Sequence, residues 1–207
     1  MKIFSAVPFV FVATTILTAS SYFLNNVNAS DPVMVNVGGN GSSWSSFTPQ
    51  NVEINAGDTV TWRNPMAVSE PHTVTFLKDQ SFYPPPAVPV PITFNSTDLK
   101  ADPNANIDPL IITDQNGTKS VIVDNARHYN PVSVDSSGHN ATYLPLNANY
   151  TLTGTEKFVS SGWMWPEGLA PQGAPPIKTF SITFENAGKY DYLCVIHPWM
   201  TGVVTVK

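Results

Sequence analysis

The sequence has very little cysteine: Cys194 is the only one among 207 residues. A single cysteine excludes the internal disulfide framework that many small exported domains use to support a limited core. The thiol of Cys194 is therefore a stray buried side chain, an intermolecular link or a metal ligand. His197 and Met200 follow it closely, which favours the third interpretation.

Charge is also scarce. Charged residues make up 12% of the chain, against about 25% in typical soluble domains. The 10 basic and 15 acidic residues give a formal net charge of -5, so we expect no nucleic-acid partner. The 19 prolines and the aromatic share of 11% favour strands and long loops over helices.

Long hydrophobic runs are lacking as well. The uncharged apolar stretch at residues 7–18 follows Lys2 and is shorter than the roughly 20 residues that span a bilayer. We predict that residues 1–29 are a signal peptide, cleaved after the small-residue sequence Val27-Asn28-Ala29. The expected location is extracytoplasmic: a periplasm-like space, the cell surface or the medium. Membrane attachment is expected only if the segment is not cleaved.

Apolar and polar residues alternate in two segments, from residue 52 to 76 and from residue 180 to 206. This period of two is typical of half-buried antiparallel strands. Turns rich in Asn and Gly interrupt the alternation at residues 55–58 and 185–188. We therefore predict an all-β sandwich domain over residues 30–207. The residues predicted to face its core are Val52, Ile54, Val60, Trp62, Val74, Phe76, Phe180, Ile182, Phe184, Tyr190, Tyr192, Val204 and Val206.

The region between these two segments has a different composition. Five prolines lie between Tyr83 and Pro91, which a central strand does not tolerate. Residues 98–150 are rich in Asn, Asp, Ser and Pro. We predict that residues from about 79 to 176 form an irregular, partly β insertion in the sandwich. Trp163 and Trp165 are expected to pack this insertion onto the sandwich.

A short string near the C-terminus, Cys194-Val195-Ile196-His197-Pro198-Trp199-Met200, places a thiol, an imidazole and a thioether within seven residues. A second imidazole, His72, lies at the start of a strand in the other alternating segment. Two His and one Cys with a weak axial Met define the type 1 (blue) copper site. Zinc can also occupy a Cys-His-His site, but a thioether adds little to zinc binding. The set therefore indicates copper.

The surroundings of these residues resemble the cupredoxins. The resemblance covers residues 31–78 and 177–207 and leaves the middle of the chain unmatched. Its short ligand loop is most similar to the amicyanin type. It rests on Gly57-Asp58-Thr59-Val60-Thr61-Trp62, on Pro71-His72-Thr73-Val74, and on Gly188-Lys189-Tyr190-Asp191-Tyr192 leading into Cys-x2-His-x2-Met.

The resemblance implies a Greek-key β-sandwich that holds one copper ion, cycling between Cu(II) and Cu(I), through His72, Cys194, His197 and Met200. It implies an electron carrier, not an enzyme, which meets redox proteins by transient contact. It further implies that Thr73 hydrogen-bonds the ligand loop. The ring edge of His197 would reach the surface, where Pro198 and Trp199 would contact the partner.

Other interpretations remain open at this stage. Taken singly, Cys194 and Met200 could be core residues and His197 a surface residue. The chain could be a copper enzyme acting on a small molecule such as a nitrogen oxide, which an open coordination position would favour. It could be a copper carrier, which rapid loss of copper to a chelator would favour. His128 and His139 are expected to be ordinary surface histidines, with a second metal site as the alternative.

Overall fold

The computed structural model describes residues 31–39, 46–78, 89–91, 110–113, 115–122 and 127–207. Every regular element in these ranges is a β-strand. The described residues accordingly contain no helix with the length and apolarity that crossing a membrane requires. The predicted signal peptide lies outside the described residues.

The strands are numbered in chain order. They are β1 (Val33–Val37), β2 (Phe47–Thr48), β3 (Asn51–Ile54), β4 (Thr59–Arg63), β5 (Thr75–Leu77), β6 (Pro89–Pro91), β7 (Leu110–Thr113), β8 (Lys119–Ile122), β9 (Val132–Val134), β10 (Ala141–Tyr143), β11 (Asn149–Leu152), β12 (Phe158–Ser160), β13 (Thr179–Phe184), β14 (Gly188–Leu193) and β15 (Thr201–Val206).

Two large sheets contain most of these strands. One has five strands in the order β11-β13-β4-β1-β2, and the other has seven in the order β10-β9-β12-β5-β14-β15-β3. Strands β6, β8 and β7 form a separate three-stranded sheet. Three parallel pairs, β1 with β4, β11 with β13 and β15 with β3, join strands that are distant in sequence. Both sheets are thus mixed.

Aromatic side chains fill the space between the two large sheets. The ring of Trp62 on β4 lies 5.8 Å from that of Phe76 on β5 and 5.3 Å from that of Tyr192 on β14. Phe76 also contacts Phe184 on β13, with ring centroids 5.8 Å apart. Edge-to-face ring pairs of this kind stabilise a core beyond the area they bury. The predicted all-β sandwich is confirmed.

The positions predicted to face the core are buried in the structure, with Tyr190 as the one exception. Nearly all of the positions named from the alternation are buried, and Tyr190, which is partly exposed, packs against the same cluster. The burial patterns of β4 and β13 alternate strictly, as half-buried strands do.

The sheet order also determines where the candidate ligands lie. Strand β5 pairs antiparallel with β14, so that Thr75 is opposite Leu193. The start of one strand is therefore next to the end of the other. His72 and Thr73 precede β5, and Cys194 directly follows β14. The pairing consequently brings the two sequence segments together at one end of the sandwich.

The second half of the predicted insertion is part of both large sheets. Strand β11 pairs with β13 in the five-stranded sheet, and β12 pairs with β5 in the seven-stranded sheet. Leu152, Val159 and Met164 are buried in the main core. The expectation of a single inserted block over residues 79–176 is therefore wrong for this half. The sequence did not reveal the strands of this half, because β9 and β12 are short and are buried along their whole length, so their burial does not alternate.

Val159→Ala tests whether this region belongs to the main core. Val159 is fully buried on β12, so removing its methyl groups should lower the free energy of unfolding by about 2 kcal/mol. Leu146→Ala is the control, because Leu146 lies in the same region but is largely exposed. Urea unfolding measures both variants. Equal and negligible effects would show that the region is separable from the sandwich.

Candidate metal centre

Three of the four predicted ligands come together in the structure. His72, Cys194 and His197 are buried, and one ligand atom of each lies within 4.8 Å of the other two. Cys194 Sγ is 3.6 Å from His197 Nδ1 and 3.9 Å from His72 Nδ1. Within the described ranges, no other three or more His, Cys, Asp or Glu side chains form such a group. The cluster could hold a metal ion.

Backbone hydrogen bonds close the loop that carries two of these residues. His197 N–H donates to the Cys194 carbonyl (3.2 Å), and Met200 N–H donates to the His197 carbonyl (2.8 Å). Cys194 N–H donates to the Met200 carbonyl (3.0 Å). The three-residue spacing in the sequence thus produces a tight, self-bonded loop between β14 and β15. The loop presents Cys194 and His197 on the same side.

Met200 ends this loop and is almost fully buried within the main core. Its backbone bonds to both other loop residues, which keeps it next to the cluster. Its role as the fourth ligand stays a prediction.

His72 is held by residues from the second half of the predicted insertion. His72 and Met164 exchange backbone hydrogen bonds of 3.1 and 2.8 Å. The buried side chain of Asn64 donates to the Met164 carbonyl at 3.0 Å. Two residues further on, Val74 N–H donates to Ser161 Oγ at 2.9 Å. The first ligand is therefore fixed by a segment that the sequence pattern did not connect with the site.

Thr73 links the two ligand segments. Its backbone N–H donates to Cys194 Sγ at 3.3 Å, and its side-chain Oγ1 accepts from Val195 N–H at 2.8 Å. Thr75 Oγ1 donates to Thr73 Oγ1 at 3.1 Å, which fixes the hydroxyl. All of these groups are buried. The N–H bond to sulphur favours the thiolate form of Cys194, which is the form that binds metals.

The outer ring nitrogens of the two histidines have different neighbours. His72 Nε2 lies 3.1 Å from the sulphur of the buried Met66. His197 Nε2 lies 3.1 Å from Glu70 Oε1. Both Nδ1 atoms face the sulphur of Cys194, so each ring presents one nitrogen to the cluster and the other to the surrounding protein.

Met66 and Glu70 were not identified from the sequence. Both lie in the loop between β4 and His72, where no alternation or metal-ligand spacing marks them. Glu70 is two residues before His72, which is the only local signal that could have drawn attention to it.

Burial sets the protonation states of the metal-free cluster. Burial is the larger cause, and the electrostatic interaction with His197 the smaller cause, that together lower the pKa of His72 to about 4. At neutral pH the His72 ring is therefore neutral, as metal binding requires. Burial also raises the pKa of the Cys194 thiol, which hydrogen bonds from Thr73 partly oppose. A cation that binds here must accordingly displace the thiol proton.

The surface next to the cluster differs in one respect from the expectation. The side chain of His197 is only 7% exposed, and Glu70 covers the Nε2 edge that was expected to reach the surface. Trp199 is 63% exposed and its ring centroid is 5.4 Å from that of His197. Pro198 is exposed beside it. The open apolar surface at this pole is thus formed by Trp199 and Pro198, with the imidazole beneath it.

The histidines of the middle region do not form a second cluster with three ligands in the described part of the chain. His139 is exposed, as expected. His128 is buried, contrary to the expectation, and its Nδ1 accepts from Trp163 Nε1 at 3.0 Å. This bond satisfies the indole N–H of the buried Trp163.

Trp163 and Trp165 form a small core of their own with Tyr129 and Ala174. Ile196, in the ligand loop, packs against both this core and the main one. The predicted packing role of the two tryptophans is confirmed.

Comparisons with known proteins were made by sequence and by structure. No protein-family model matches the chain, and no curated protein matches it. Among solved structures, amicyanin from Paracoccus versutus (Thiobacillus versutus) is similar, with 20% identity, coverage of 86% of this chain and 83% of that chain, and a TM-score of 0.37.

Two further amicyanin structures are similar at the same level. A reduced variant has 18% identity, covers 85% of this chain and 82% of that chain, and has a TM-score of 0.36. The reduced Cu(I) form of another variant at pH 4 has 17% identity, 86% and 85% coverage, and a TM-score of 0.36. Similarity this low does not establish a family, so the functional assignment depends on the cluster itself.

Thr73→Ala tests the link between the two ligand segments. It removes the buried acceptor of the Val195 N–H bond, so we expect a loss of about 1–3 kcal/mol in the unfolding free energy of the metal-free protein. Thr73→Ser keeps the hydroxyl and is the matched control, with a smaller expected loss. Denaturant titration measures both. Equal losses for Ala and Ser would indicate that the methyl group matters and the hydrogen bond does not.

Proposed function

We propose that this chain is a type 1 copper protein of the cupredoxin kind that carries single electrons. The observation that supports this best is the buried convergence of one thiol and two imidazoles, with ligand atoms within 4.8 Å of one another. Two His and one Cys in a trigonal arrangement are the donor set of blue copper sites.

The donor set fits copper better than the alternatives. Soft thiolate and thioether donors suit Cu(I), and imidazole suits both oxidation states. We propose Met200 as the weak axial ligand, since it is buried at the end of the ligand loop. Zinc would also bind the cysteine thiolate and the two imidazoles, but it would gain little from the thioether.

Copper supplies the reversible one-electron couple between Cu(II) and Cu(I) when it is bound. The chain contributes a geometry that changes little between the two states. The self-bonded loop of Cys194 and His197, the Thr73 bridge and the Met164 pairing of His72 each restrict a different ligand. Because the interior is close-packed, such restraints resist rearrangement of the ligands, which keeps the barrier to electron transfer low.

We propose that electrons pass at the pole formed by Pro198 and Trp199. The exposed Trp199 ring contacts the ring of His197, so a partner docking there would lie close to the ligands. A small apolar patch suits the brief contacts of redox proteins. With a signal peptide at residues 1–29, the proposed location is extracytoplasmic, and the proposed partners are other redox proteins.

The copper-loaded protein should absorb strongly in the visible region, since a buried thiolate bound to Cu(II) gives an intense charge-transfer band. Cys194→Ser should abolish this band, and His139→Gln, at an exposed histidine, should leave it unchanged. Optical and EPR spectra after addition of Cu(II) measure the effect. A colourless Cu(II)-loaded protein with an ordinary square-planar EPR spectrum would contradict the type 1 assignment.

Met200→Leu should keep the colour and raise the reduction potential, because loss of a weak donor destabilises Cu(II) more than Cu(I). A tenfold change in the ratio of the two affinities corresponds to about 59 mV. Met66→Leu is the matched variant, since Met66 is another buried thioether and its sulphur contacts the ring of a candidate ligand. Voltammetry of both variants compares the two sulphurs. A shift for Met66→Leu as large as that for Met200→Leu would contradict the axial role of Met200, because the Met66 sulphur lies at the outer nitrogen of His72, away from the cluster.

A further inference from the structure

Glu70 faces the candidate ligand His197 at the edge of the site. Its Oε1 lies 3.1 Å from His197 Nε2, and its side chain is 36% exposed while that of His197 is 7% exposed. The pair joins the loop before His72 to the ligand loop.

The backbone that presents Glu70 is itself fixed. The Glu70 carbonyl accepts from the side-chain amide of Asn64 at 2.8 Å, and the Glu70 N–H donates to the Val68 carbonyl at 2.8 Å. The same Asn64 amide donates to the carbonyl of Met164, the residue that pairs with His72. Asn64 is almost fully buried. The turn that presents the carboxylate is therefore held by Asn64, which also bonds the residue that pairs with His72.

The other sides of the His197 ring are also occupied. Cys194 Sγ lies 3.6 Å from Nδ1, the ring of Trp199 is 5.4 Å away, and the ring of His72 is 4.9 Å away. Ring contacts restrict translation and tilt, but they do not decide which nitrogen carries the proton. A carboxylate at hydrogen-bond distance does decide it, because it accepts from N–H and repels a lone pair.

We propose that Glu70 is a positioning residue that keeps the proton of neutral His197 on Nε2 and thereby leaves the Nδ1 lone pair facing Cys194, ready for the metal. This inference rests on the proposed copper function of the same cluster. Carboxylate partners of this kind fix the orientation of metal-binding histidines and make them stronger donors. A stronger imidazole donor favours Cu(II) over Cu(I).

The two histidines are consequently not equivalent. The outer nitrogen of His72 meets the neutral, weakly accepting sulphur of Met66, whereas that of His197 meets an anion. Because Glu70 is partly exposed, solvent screens its charge. We therefore expect the hydrogen bond, and the ring orientation that it enforces, to affect His197 more than the electric field of the charge does. Glutamine at this position keeps an accepting amide oxygen but adds an NH2 group that can donate to a ring lone pair, so it should preserve only part of the effect.

The test compares Glu70→Ala with Glu70→Gln in the full chain. The first measurement is the tautomer of His197 in the metal-free protein, read from side-chain nitrogen NMR shifts. We expect a single Nε2–H tautomer in the wild type, a mixture in Glu70→Ala, and an intermediate proportion of the Nε2–H tautomer in Glu70→Gln. Glu53→Ala is the control, because Glu53 forms an exposed ion pair with Lys207 on other strands.

The second measurement is Cu(II) affinity by chelator competition, together with the reduction potential. Glu70→Ala should bind Cu(II) about 10–100-fold more weakly, and each tenfold loss relative to Cu(I) should raise the potential by about 59 mV. Glu70→Gln should lie between the wild type and Glu70→Ala in both quantities.

Two results would overturn the inference: an unchanged tautomer, affinity and potential in Glu70→Ala, or a Glu70→Gln variant as impaired as Glu70→Ala. Failure of the copper proposal looks different. In that case the wild-type protein itself would lack the blue band, while the NMR comparison of the metal-free variants would still report whether Glu70 selects the tautomer.

Discussion

The two hydrogen bonds between Thr73 and the Cys194 segment hold the site together. They connect residues 121 and 122 positions apart in the chain and do so inside the protein, where a lost bond leaves polar groups without water. The side chain of Thr73 sets the position of the ligand loop, and its backbone N–H stabilises the sulphur. Together with the antiparallel pairing of β5 and β14, this contact places His72 close to Cys194.

The residues around the candidate ligands contact one another in a chain. Met164 pairs with His72, and Asn64 holds Met164 and Glu70 through a single amide group. Glu70 then reaches the ligand loop on the opposite side. Because each of these residues touches two others, the loop before His72 and the loop after Cys194 form a closed ring of contacts around the cluster. A closed ring limits the relaxation open to any one ligand.

The sequence was sufficient to predict the sandwich and the convergence of His72, Cys194 and His197; that these residues bind a metal stays a prediction. Alternation identifies strands such as β4 and β13, since one face of each is buried and the other is not. It fails for β9 and β12, which are buried on both faces and so show no period. Glu70 and Met66 escaped notice because their roles arise from tertiary contacts across loops, which leave no periodic or spacing signal. The burial of His128 has the same origin, a partner 35 positions away in Trp163.

The pairing of His72 with Met164 also bears on the order in which the molecule assembles. His72 is synthesised early, yet the hydrogen bond of Val74 needs Ser161, which comes 87 residues later in the chain. The hydrogen bond of Thr73 needs Cys194, which comes later still. Contacts of such long range form slowly compared with local turns and hairpins. His72, Cys194 and His197 therefore come together only once the chain is nearly complete, and a metal ion that bound them would enter a folded site and would not nucleate folding.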